Sequence, residues 1–231
     1  MDKIAKVKSI SIWIFIVPFV ALNTCLILIT QFHQLFPNQE DVINFTLPYI
    51  DGGASISRTA RAFPTYLIFK PAMFFTSYLL IKYWKYNKEI ITSFRKDHKN
   101  ISKIVFFGIG SAILLSIHSI FLGVKFDYDL YKLFRRVVML GFIIFEIVAQ
   151  TYLVITLYSF KNDLLKFINP RILRAKLILV SILIIVAVIS IPLVSVEGNK
   201  YLKHALEWDY FIGVISFYLL TFFMWKNKKN N

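Results

Sequence analysis

The sequence is poor in cysteine and in charge. One cysteine, Cys25, excludes a disulfide framework within one chain and any cysteine-built zinc cluster. Charged residues make up 17% of the chain, against about 25% in an ordinary soluble domain. Acids are especially scarce: 13 Asp+Glu stand against 27 Lys+Arg, for a net charge of +14. No Walker loop, G-x-G-x-x-G or H-E-x-x-H occurs, so nucleotide-binding and zinc-hydrolase chemistry have no motif here. Strand-like alternation and internal repeats are also missing.

Hydrophobic residues fill the gap, at 57% of the chain and a mean hydropathy of +0.62. The 23 Phe and 12 Tyr argue against disorder. A chain this apolar fits a nucleic-acid partner poorly despite its charge. The apolar residues gather into six runs, at about 10–30, 63–84, 104–123, 137–160, 177–196 and 210–225. Each is close to the ~20 residues that cross a hydrocarbon core. Backbone groups in lipid must be satisfied internally, which leaves helices as the spanning structure. The expectation is an all-α integral membrane bundle of six transmembrane helices, forming one domain over residues 1–231.

The loops set a direction. Eighteen of the 27 cations fall on one alternating side: the N-terminus, the second and fourth loops and the tail. The positive-inside rule then places both termini in the cytoplasm. Lys3, Lys6 and Lys8 before an apolar run also suit a signal peptide, but the run passes Cys25 to Ile29. That exceeds a usual signal core, so an uncleaved first span is expected. Trp13, Trp84, Trp208 and Trp225 lie near span ends and read as interfacial anchors.

Ionisable groups inside lipid cost several kcal/mol and mark sites or structural pairs. Lys70 in the second span and Glu146 in the fourth are the clear cases, with Asn23, His118 and Gln150 as polar outliers. Counted from the expected span ends, Asn23, Lys70, His118 and Glu146 lie roughly 8–14 Å below the outer boundary. Equal depth in four spans fits an outward-facing polar cavity. A buried Lys70–Glu146 pair is the structural alternative. Pro71 withholds a donor from the carbonyl of Leu67 and favours a kink beside Lys70. Gly108, Ala112, Ser116, Ser119 and Gly123 form a small-residue stripe that lets a neighbouring helix approach.

The longest outer loop, 31–62, holds Leu47-Pro48-Tyr49-Ile50-Asp51-Gly52-Gly53, followed by Arg58 and Arg61. Guanidinium groups suit phosphate or carboxylate recognition, and pairing with Asp51 is the bland alternative. Asp127 and Asp129 lead into Arg135 and Arg136, either as a hydrated helix start or as a cavity rim. Asn44-Phe45-Thr46 and Asn100-Ile101-Ser102 are glycosylation sequons, the second expected on the cytoplasmic side and unused.

Pro48, Tyr49, Ile50, Asp51, Gly53 and Pro64 resemble the P-[YF]-I-S-D-x-G … P segment of the FRAG/DRAM/SFK family. That family of six-span membrane proteins includes damage-regulated autophagy modulators and proteins of GPI-lipid remodelling. The serine between Ile50 and Asp51 is missing, and one proline stands where two often occur. The resemblance implies lipid handling within a membrane. The expected function is therefore a protein that binds, organises or helps remodel membrane lipid, without a cofactor or metal. Its membrane is the plasma membrane in a bacterium or an endomembrane in a eukaryote. A small proton-coupled transporter or channel and a lipid-modifying transferase are the alternatives. Membrane lipids are the expected partners, with a helix-packing partner or a second copy also open.

Overall fold

The computed structural model describes residues 2–124, 126, 129–195 and 198–226. Asp127, Lys125, Lys228 and Lys229 lie outside the described residues. Among the described residues eight α-helices follow one another: α1 (Asp2–Gln31), α2 (Ile56–Arg61), α3 (Thr65–Phe94), α4 (Ile101–Phe121), α5 (Asp129–Ser159), α6 (Lys161–Leu164), α7 (Pro170–Ser195) and α8 (Lys200–Met224). Among the described residues there is no strand, only an isolated bridge between Ile168 and Trp225.

Six of these helices are long. Five of them, α1, α4, α5, α7 and α8, are long and apolar enough to cross a membrane. α3 is as long as α1, but Lys70, Lys82, Lys85, Lys88 and Glu89 make it more polar. It packs between α1 and α4. Contacts then run from α4 to α5, α5 to α7, α7 to α8 and from α8 back to α1, so the long helices close a ring in chain order. The ion pair Lys3–Glu89 (2.7 Å) and Lys8 over the Phe222 ring bring the start of α1, the end of α3 and the end of α8 together. We call this the terminal end and the opposite one, which carries residues 32–64, the loop end.

Most helices overrun their apolar runs. α5 begins at Asp129 rather than near 137, and α8 at Lys200 rather than near 210. The polar turns add little to hydropathy but continue the helical hydrogen bonding. Pro170 at the first position of α7 withholds only a donor that would be unpaired there.

Three tryptophans correct the expectation of interfacial anchors. Trp84, Trp208 and Trp225 are fully buried, and Trp13 alone of the four is exposed. Because α3 extends ten residues past Trp84, that indole sits inside the bundle. It fills the space above Gly108, where a Cβ would meet the indole ring. The small stripe of α4 thus receives α3. Gly123 falls beyond the end of α4, at φ +82°, and faces the backbone of Arg61.

Candidate functional site

The structure does not bring the expected cavity together. Lys70 and Glu146 point to different partners. The Lys70 ammonium donates to the carbonyl of Ile120 (3.2 Å), and the single hydroxyl hydrogen of Tyr131 is shared between those of Phe121 and Val124 (3.0 and 3.2 Å). Both serve the C-terminal carbonyls of α4, where a cation also complements the helix dipole. Glu146 is buried deep in the bundle among Ser111, Gln150 and Tyr218. The equal depth fails for Glu146: it meets Ser111, seven residues and roughly 10 Å further from the loop end along α4 than His118. His118 lies instead within electrostatic reach of Arg135. The Arg135 guanidinium stands 5.9 Å from the Tyr131 ring centre, remote from Glu146 on the same helix.

Asn23 belongs to a second assembly, at the loop end. Its Nδ2 donates to Phe19 (2.8 Å), and its Oδ1 accepts from the Tyr49 hydroxyl (3.1 Å). The Tyr49 ring meets Trp208 edge-on, with ring centres 4.9 Å apart. The Trp208 indole N–H donates to the carbonyl of Ala54 (2.8 Å), and His204 Nδ1 lies 2.9 Å from the carbonyl of Gly52. Glu207 accepts from the backbone N–H groups of Ile56 and Ser57. The first turns of α8 therefore clasp residues 49–57 against α1.

Within that loop, Asp51 shapes its own turn. Its carboxylate accepts from the Thr46 hydroxyl, the Leu47 N–H (2.8 Å) and the Gly53 N–H (2.8 Å). These bonds, the Thr46 hydroxyl first, hold its pKa below the ordinary carboxylate range. No ion pair joins Asp51 to Arg58 or Arg61 among the described residues. Arg58 reaches the carbonyl of Val42 weakly (3.5 Å), and its own N–H is capped by Ser55.

A cleft of about 430 Å³ opens beside this turn, lined by Val42, Phe45, Thr46, Asp51, Arg58 and Tyr201 among others. It offers a guanidinium, a carboxylate and a phenol next to apolar side chains. Phe45 and Leu47 are exposed beside it. Arg61 is exposed and outside the lining. Asn44 of the first sequon lines the cleft. Asn100 of the second is buried and donates to Thr156 (3.1 Å).

Sequence reasoning missed Tyr201, His204 and Glu207 and read Trp208 as an interfacial anchor, because the last apolar run starts at about residue 210. A helical extension of that run would have placed 201, 204 and 208 on one face. It also counted Lys176 among loop cations. That lysine is fully buried, donates to Thr221 Oγ1 (2.7 Å) and lies 3.8 Å from the Phe217 ring centre. Among the described residues, no group of three or more His, Cys, Asp or Glu is placed to hold a metal. Comparison with family models, curated proteins and solved structures finds no match to the chain.

Proposed function

We propose that the protein crosses its membrane six times, with both termini cytoplasmic, and organises lipid by holding a phospholipid head group in the loop-end cleft. The observation that carries this reading is one cleft with Arg58 and Asp51 on its wall and the exposed Phe45 at its side. A guanidinium takes the phosphate through charge-assisted hydrogen bonds. Asp51, ionised because three donors hold its charge, faces an amine in the head group. Phe45 and Leu47 continue the apolar surface of the bundle and lie against acyl chains. The likeness of Pro48–Gly53 to a lipid-handling family points the same way, although no family model matches. The original cavity of Lys70, His118 and Glu146 is replaced in this reading by the cleft, since those side chains face separate partners.

The test is retention of phospholipid by the purified chain, read by native mass spectrometry from nanodiscs of mixed lipid. R58A removes the phosphate contact and is expected to weaken retention about 10–100-fold, the effect of a lost charged hydrogen bond of roughly 1.5–3 kcal/mol. D51N is expected to shift selectivity away from amine-bearing head groups. Equal retention by R58A and the unaltered chain would sink the reading.

A further inference from the structure

A second polar centre lies at the middle of the ring, apart from the cleft. Glu146 is 1% exposed. Its Oε1 accepts from Gln150 Nε2 (3.0 Å) and from the Tyr218 hydroxyl, and its Oε2 stands 2.6 Å from Ser111 Oγ. Gln150 spends its other amide hydrogen on the carbonyl of Val214 (3.2 Å). Helices α4, α5 and α8 therefore meet on one carboxyl group.

The hydrogens can be counted. Ser111 has one hydroxyl hydrogen and two acceptors in reach, the carbonyl of Gly108 (2.8 Å) and Glu146 Oε2 (2.6 Å). If Ser111 donates to Gly108, Oε2 must supply the hydrogen between the two oxygens. Then every donor has one acceptor and every contact has its hydrogen. An ionised Glu146 leaves the Gly108 and Glu146 oxygens sharing a single hydrogen.

Charge agrees with the count. Tyr218 from α8 and Tyr83 from α3 are the titratable groups beside Glu146, and both are phenols. Lys176 of α7, the buried cation of the bundle, gives its hydrogen bond to Thr221. Thr221 also meets the Tyr83 hydroxyl (3.2 Å). Among the described residues no cation forms an ion pair with Glu146, and a buried carboxylate without one costs several kcal/mol.

We propose that Glu146 is a proton-binding site: a carboxylic acid that donates through Oε2 to Ser111 where α4, α5 and α8 meet. The ligand is the proton. Release to water leaves a carboxylate, and rebinding restores the acid, so the step balances without a co-reactant. The inference stands whether or not the cleft binds lipid.

Infrared spectroscopy of the full chain in nanodiscs at neutral pH tests it. Glu146 is expected to give the carbonyl stretch of a protonated carboxyl group. E146Q removes that band and keeps the fold, because the amide oxygen accepts in place of Oε1 and one of the two amide N–H groups donates in place of Oε2. S111A keeps the acid but removes its acceptor, so the band moves. A spectrum without a protonated-carboxyl band overturns the proposal. So does a band that neither variant alters, since it then belongs to another carboxyl such as Glu207.

Discussion

At the scale of single residues, the same side-chain type does unlike work according to what surrounds it. Asp51 and Glu146 each meet three hydrogen-bonding groups. Asp51 does so in an exposed turn, with two backbone amides among them, and stays ionised. Its folded-state pKa lies below that of the unfolded chain, so the turn gains stability above the ordinary aspartate range, about 3.9. That gain disappears as pH falls through the lower folded value. Acidification is therefore expected to raise hydrogen exchange at the Leu47 and Gly53 amides, beyond its intrinsic pH dependence. D51N should show no such pH response. Protection that is independent of pH in the unaltered chain would contradict the assignment. Lys70 and Lys176 differ in the same manner: one closes the end of a helix, the other is enclosed between a threonine and a phenylalanine ring.

At the scale of elements, the decisive feature is the length of α8 beyond its apolar core. Its first turns bring Tyr201 to the cleft and His204, Glu207 and Trp208 to the loop. Gly52 makes the close approach possible. It has φ +62°, and the backbone carbonyl of Tyr201 occupies the place a Cβ would need. G52A is therefore expected to lower stability by about 1–3 kcal/mol from backbone strain alone, with more from the steric contact. It should also release Trp208 into a more polar setting, read by fluorescence. Gly198 also has positive φ (+95°) but nothing within 4 Å of an added Cβ. G198A thus separates strain from contact: if it matches G52A in both readouts, the clasp is not what Gly52 protects.

At the scale of the whole molecule, the ring closes because α8 returns to α1, which brings the start of the first helix near the end of the last. Five helices have the length and apolarity of spans, and α3 is the sixth long one. An even count requires α3 to cross. N44C and K99C flank α3, and the native Cys25 is buried. With an impermeant maleimide on sealed vesicles, the two new thiols are expected to label from opposite faces, K99C from the cytoplasmic one. Labelling from the same face would show that α3 does not cross and would remove the six-span topology.

The hydrophobic runs alone determined the all-helical class and the number of long helices, because apolar runs of this length have few other ways to satisfy a backbone. Composition likewise located the unusual groups: Asn23, Lys70, His118, Glu146, Gln150 and the loop arginines. It left open which of them meet. Hydropathy ends where polar turns begin, so the true starts of α5 and α8 were invisible, and with the start of α8 the clasp at Trp208. Partner choice depends on the rotation and axial offset of neighbouring helices. Packing sets those through contacts such as Trp84 on Gly108. Tertiary structure therefore sent Lys70 to the end of α4, Glu146 to Ser111 and Tyr218, and Arg58 to a cleft no single segment contains.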